Sequence, residues 1–139
     1  MLDMQVTGSG AATAISFPAG EAHLQGRLFL PLSAPRAAVV LNGATGVPQG
    51  YYQAFARWLA EEREMACLTY DYSDFGESAA DHPRRSRATM STWAMDDQPA
   101  ARAEMRRRLP GVPIWVIGHS LGGMLMPLQD GIEDVDRMI

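Results

Sequence analysis

Four large apolar residues, Ile114-Trp115-Val116-Ile117, run without a break into Gly118-His119-Ser120-Leu121-Gly122-Gly123. An apolar run this short reads as a strand buried on both faces. The Gly-x-Ser-x-Gly that follows it reads as a sharp turn from strand into helix, with Ser120 held in a strained conformation at the tip. Gly118 and Gly122 suit such a turn because backbone segments approach there too closely for a Cβ. The helix beyond the turn aims its first N–H groups at the space beside Ser120, where they can stabilise negative charge on an oxygen. The alternative is an ordinary strand-to-helix loop in which Ser120 only caps a helix.

That strand needs neighbours, and the preceding residues supply them. Ala14-Ile15-Ser16-Phe17 and Leu24 to Leu30 read as two antiparallel strands turning at Pro18-Ala19-Gly20, with Pro31 ending the second. Ala37 to Leu41 is the next buried strand, with a loop from Asn42 to Gly50. Tyr51 to Arg63 has helical spacing, with Tyr52, Phe55, Leu59 and Glu62 on one stripe and Tyr51 and Trp58 beside it. Met65 to Tyr70 is a strand ending in the polar loop Asp71-Tyr72-Ser73-Asp74-Phe75-Gly76-Glu77-Ser78. Ala79 to Thr89 shows no periodicity. Asp97 is a candidate N-cap for a helix carrying Ala101, Met105 and Leu109, although that helix could begin near Thr92 and bend at Pro99. Pro127 should bend or shorten the helix after Ser120, and Arg137-Met138-Ile139 resembles the start of a further strand. Alternating strands and helices with short loops predict an α/β fold with a mostly parallel sheet, right-handed crossovers and helices on both faces. The 139 residues make one domain, with residues 1–11 expected to fray.

Composition closes several routes. All twelve basic residues are Arg, and the net charge of -4 leaves no nucleic-acid footprint. The groups Arg84, Arg85, Arg87 and Arg106, Arg107, Arg108 read as solvated surface. Cys67 has no partner for an internal disulfide and reads as a small buried apolar residue. No apolar stretch nears the ~20 residues that span a bilayer, and no leader pattern opens the chain. The expectation is therefore a soluble cytoplasmic protein with no metal and no organic cofactor. A dinucleotide-binding reading of Val39-Val40-Leu41-Asn42-Gly43-Ala44-Thr45-Gly46 with Asp71 is weakened by Pro48, by the hairpin ahead of it and by the absence of any Lys.

Taken in order, the hairpin, the Asn42-Gly43 loop, the Asp71 to Ser78 segment and the Gly118 to Gly123 turn resemble the N-terminal half of the α/β-hydrolase fold. The resemblance covers about residues 12 to 139 and is strongest to the lysophospholipase- or serine-aminopeptidase-like branch. It implies a sheet in the order 1-2-4-3-5-6-7-8, of which this sequence reaches only the beginning of the sixth strand. It implies that Ser120 is the catalytic nucleophile of a hydrolase acting on a small-molecule ester, thioester or amide through an acyl-Ser120 intermediate. It also implies an oxyanion hole made by the backbone N–H groups of Leu121 and Ala44, with Thr45 as a further candidate. Asp71 and its loop would shape the cleft. Two departures stand out: Asn42 where the family often has His, and Ser73-Asp74 where it has Arg-Gly.

A Ser hydroxyl needs a base to take its proton and an acid to orient that base. In this fold both follow the nucleophile, yet no His follows Ser120 here. Asp130, Glu133, Asp134 and Asp136 come too early for the acid, and His23, His82 and His119 are poorly placed for the base. The expectation is an incomplete hydrolase domain that is inactive alone, with the strand before Ser120 at an open sheet edge where a second copy or a complementing C-terminal half could dock. The rival expectation is a non-catalytic binding or assembly module that keeps the turn as architecture.

Overall fold

The computed structural model describes residues 12–79 and 86–139. Residues 1–11, His82, Arg84 and Arg85 lie outside the described residues, as do the expectations that fall on them. The chain builds a six-stranded sheet in the order β1-β2-β4-β3-β5-β6. Its strands are β1 (Ala12–Ala19), β2 (Ala22–Phe29), β3 (Ala38–Asn42), β4 (Ala66–Tyr70), β5 (Ile114–Gly118) and β6 (Arg137–Met138). β1 and β2 form an antiparallel hairpin, and β2 pairs antiparallel with β4. The pairs β3–β4, β3–β5 and β5–β6 are parallel.

The hairpin is longer than its apolar residues suggested. Pro18 lies inside β1 opposite His23, and the turn falls at Gly20, whose φ of +60° suits glycine. A proline is tolerated there because β1 is an edge strand whose outer side needs no ladder donor.

Side-chain alternation along the central strands divides the core in two. Val39, Leu41 and Cys67 face α1 (Gln53–Arg63), which follows a single 3₁₀ turn at Gln49–Tyr52. Ala38, Val40, Ala66, Leu68, Ile114 and Val116 face the opposite layer, whose α3 (Gln98–Arg108) contributes Ala101 and Met105. The helices therefore cover both faces, as expected. Burial holds the Cys67 thiol neutral, with its pKa pushed up to about 12.

The α1 stripe is corrected. Tyr52, Ala56, Leu59 and Ala60 are buried, whereas Tyr51, Phe55, Trp58 and Glu62 are exposed. Alanines at 56 and 60 let the helix approach the sheet closely, and this leaves the larger rings of Phe55 and Trp58 stacked on each other outside, 6.0 Å apart. Asp97 is not an N-cap either. The helical segment starts with α2 (Met90–Thr92), capped by Thr89, and runs through a π turn at Trp93–Asp97 into α3. The helix thus begins near Thr92, the alternative the sequence allows, and the π turn supplies a local irregularity just ahead of Pro99. After Ser120, α4 (Leu121–Met124) is a single turn, with a 3₁₀ turn at Met126–Leu128 containing Pro127.

The strand before Ser120 is not an open edge. β6 pairs with it, Trp115 opposite Arg137 and Val116 opposite Met138, and the ladder continues from Gly118 N to the Ile139 carbonyl at 2.8 Å. Of the Arg groups, Arg107 and Arg108 both bind the buried carboxylate of Glu104.

Candidate active site

The site forms at the C-terminal ends of β3, β4 and β5. At the end of β5 the backbone turns so tightly that Ser120 takes φ 56° and ψ -114°, a combination that L residues other than glycine rarely adopt. Ser120 is exposed at the tip, and Leu121 opens α4 directly after it. The two flanking glycines behave as the motif predicts. A Cβ on Gly118 would lie 2.6 Å from the Gly122 carbonyl group and the Gly123 Cα, and one on Gly122 would lie 2.0 Å from the Asn42 carbonyl oxygen. The Leu121 N–H lies in the first turn of α4, where no carbonyl four residues back within the helix can accept it.

The turn is bolted to the end of β3. His119 N–H donates to the Asn42 carbonyl at 3.0 Å, and the Asn42 amide donates to the Gly122 carbonyl at 3.3 Å. The Tyr70 hydroxyl donates to Asn42 Oδ1. Asn42 is fully buried and belongs to β3, not to the following loop. Burial drives the Tyr70 hydroxyl well above its ordinary pKa, so it stays a proton donor.

The next peptide is gripped from both ends. The Tyr72 hydroxyl donates to the Gly43 carbonyl at 2.6 Å, and the Ala44 N–H donates to the Tyr52 hydroxyl at 2.9 Å. The Ala44 N–H, expected to point at an oxyanion alongside that of Leu121, is thus given to Tyr52. The Tyr52 hydroxyl also lies 2.9 Å from His119 Nδ1. Behind Tyr72 a buried polar chain continues through Gln98 and Gln129 to Arg102.

The Asp71 loop has a structural role that its bonds explain. The Asp71 carboxylate accepts from Gln49 N at 2.8 Å and Glu77 N at 2.9 Å, and Ser78 Oγ donates to its carbonyl at 2.7 Å. Gly76 has φ +55°, and a Cβ there would meet Asp71 Oδ2 at 2.5 Å. Asp71 is therefore committed to holding the loop and is not free to grip a ribose. At the departure Ser73-Asp74, Ser73 N and Oγ both donate to Asp97 Oδ2, at 2.7 and 2.8 Å.

Among the described residues no His, Asp or Glu side chain bonds the Ser120 hydroxyl. His119 is turned onto Tyr51 and Tyr52, with its ring centroid 6.4 and 5.8 Å from theirs, and His23 lies in β2, far along the sheet. No group of three or more metal-ligating side chains occurs among the described residues. No helix among them is long and apolar enough to cross a membrane. The residues that sequence reasoning missed are Tyr52, Tyr70, Tyr72 and Gln98. Their polar tips meet the motif only through the fold, and no spacing announces that.

A parallel sheet with an antiparallel hairpin, helices on both faces and a strained Ser at the tip of the fifth strand is the architecture of an α/β-hydrolase. The chain belongs to the serine aminopeptidase S33 family, whose profile matches residues 33–128. Three solved structures share the fold. A soluble variant of monoglyceride lipase from Saccharomyces cerevisiae is 15% identical with a TM-score of 0.76, over 99% of this chain and 45% of that one. A thermostable carboxyl esterase from Bacillus coagulans is 21% identical with a TM-score of 0.70, over 84% and 38%. An esterase from Pyrococcus furiosus is 13% identical with a TM-score of 0.72, over 92% and 50%. The chain thus spans half or less of the length of these structures. No curated protein matches the sequence.

Proposed function

We propose that this chain carries the nucleophile of a serine hydrolase that cleaves an ester, thioester or amide through an acyl-Ser120 intermediate. The observation that carries the reading is the exposed Ser120 at φ 56° and ψ -114°, directly ahead of the first turn of α4. Ser120 Oγ attacks the acyl carbonyl carbon as its proton passes to a base. The carbonyl oxygen becomes an oxyanion facing the Leu121 N–H, and collapse of the intermediate expels the alcohol, thiol or amine with a proton. Water then releases the acid by the same steps. The Ala44 N–H is the second donor when it is not held by Tyr52. The base and its orienting acid are assigned to groups outside the described residues, since no His, Asp or Glu side chain within them hydrogen-bonds Ser120 Oγ. The substrate is a small acyl compound, and no metal or organic cofactor takes part.

The experiment is labelling of the 139-residue chain by a fluorophosphonate, alone and mixed with cell extract, with Ser120→Ala as control. Labelling confined to Ser120 is the expected result. Labelling equal in the Ser120→Ala variant, or none under any condition, would overturn it. The unpartnered Ser120 hydroxyl favours a second reading, a non-catalytic assembly module. That reading predicts a defined oligomer by size-exclusion chromatography and no labelling at all.

A further inference from the structure

We propose that Tyr52 is a positioning residue that withholds the Ala44 N–H from the space beside Ser120; this rests on the acyl-Ser120 reading above. The carbonyl of Gly43 and the N–H of Ala44 belong to one planar unit. Tyr72 Oη donates to its oxygen at 2.6 Å and Tyr52 Oη accepts from its nitrogen at 2.9 Å, so its rotation is fixed at both ends. Both hydroxyls belong to buried residues, and the Tyr52 ring packs against Gly43 so closely that a Cβ there would meet it at 2.9 Å. A backbone N–H makes one good hydrogen bond, and this one is spent on a buried phenol while Ser120 stands in solvent.

The phenol has a single proton, and its disposition follows. Its oxygen already accepts from Ala44, so its proton goes to the remaining neighbour, His119 Nδ1, at 2.9 Å. Accepting at Nδ1 selects the His119 tautomer whose ring proton sits on Nε2. Its ring is wedged against the face of Tyr51 and the edge of Tyr52. The three groups form one directed chain, Ala44 N–H to Tyr52 O–H to His119 Nδ1, running away from the nucleophile. An oxyanion is a stronger acceptor than a neutral phenol oxygen, so a tetrahedral intermediate recruits the Ala44 N–H only by displacing Tyr52.

The test uses the 139-residue chain and its Tyr52→Phe variant, which keeps the ring packed on Gly43, with Tyr51→Phe as control. Amide hydrogen exchange is followed by NMR, His119 nitrogen shifts are recorded at mildly alkaline pH, and Ser120 labelling by a fluorophosphonate is timed. Expected results are a protected Ala44 amide in the parent chain and exchange about tenfold faster in Tyr52→Phe, the factor lost with one ordinary hydrogen bond. Val39 and Val40 amides should keep their protection. His119 should carry its proton on Nε2 in the parent chain and become a tautomer mixture in Tyr52→Phe. The variant should label faster than the parent, and Tyr51→Phe should change none of these. An unprotected Ala44 amide, no change on substitution, a proton on Nδ1, or slower labelling in Tyr52→Phe would each overturn the proposal. Absence of labelling in both proteins would instead sink the Ser120 reading and leave the exchange and tautomer results to decide whether Tyr52 holds the peptide.

Discussion

Gly122 rests against Asn42 so closely that a methyl group on it would sit 2.0 Å from the Asn42 carbonyl oxygen. That oxygen belongs to a fully buried residue of the central strand β3 and already accepts the His119 N–H, so it cannot retreat. Gly123, the next residue in the same short helix, has nothing closer to its missing Cβ than 3.5 Å. Gly122→Ala should therefore destabilise by about 3 kcal/mol through overpacking. Gly123→Ala should be neutral or stabilise by up to about 1 kcal/mol, the helix-propensity difference. Urea denaturation of the two variants checks the contrast, and equal effects would refute the close approach.

Ser120 should be a site where stability and reactivity pull apart. Its φ of 56° and ψ of -114° cost of order 1–3 kcal/mol in a non-glycine residue. Ser120→Gly should raise stability by about 1 kcal/mol and abolish fluorophosphonate labelling. Ser120→Ala keeps the strain and should abolish labelling with little change in melting temperature. A destabilised Ser120→Gly protein would mean that the turn is not strained.

Asn42 should show strong coupling with Tyr70. Its side chain takes the Tyr70 hydroxyl on one atom and serves the Gly122 carbonyl with the other. Tyr70→Phe leaves one buried acceptor unpaired, costing about 1–3 kcal/mol, and Asn42→Ala strands partners on both sides and should cost more. The double variant should cost clearly less than the sum, because removing both partners leaves fewer orphans. Additive losses in a double-mutant cycle would show that the bond contributes nothing.

Asp97 predicts a pH dependence with a defined sign. Its residue is buried, Oδ2 takes both Ser73 donors, and Oδ1 has no partner among the described residues. Burial, with smaller contributions from Asp96 and Asp74, outweighs the Ser73 hydrogen bonds and pushes the carboxyl from 3.8 up to about 6. The folded chain then holds this proton more tightly than the unfolded chain. Its contribution to stability is full below about pH 4, falls as pH rises towards 6, and is flat above that. The difference across this window should be roughly 3 kcal/mol. Asp97→Asn should remove that part of the slope when stabilities are measured by urea across the pH range. An unchanged slope would place the ionisation elsewhere.

The fold was legible where residues repeat a simple rule. Unbroken apolar runs at Val39 to Leu41 and Val116 to Ile117 marked strands buried on both faces, and Gly118 and Gly122 marked the tight turn, because sterics at those points admit few residues. Helix faces were less legible. The stripe through Phe55 and Glu62 was misassigned because the sheet selects small residues such as Ala56 and Ala60 for close packing, and apolar size alone points to the wrong face. Asp97 looked like a cap because its chemistry suits one, yet its partner, Ser73, is far away in sequence. The tyrosines around the turn were invisible for the same reason: Tyr70 and Tyr72 reach Asn42 and Gly43 from the neighbouring strand and its loop, and Tyr52 meets His119 from a distant part of the chain, so no local pattern encodes them.

Pro18 gives the sheet a direction of growth. It interrupts the row of N–H groups along the solvent side of β1, so an incoming strand would find a missing tooth there and could not zip along that margin. The opposite margin, β6, carries no such block in its two residues, Arg137 and Met138. Of the two margins, the one on the Ser120 side of the sheet is therefore the one whose ladder groups run without a gap.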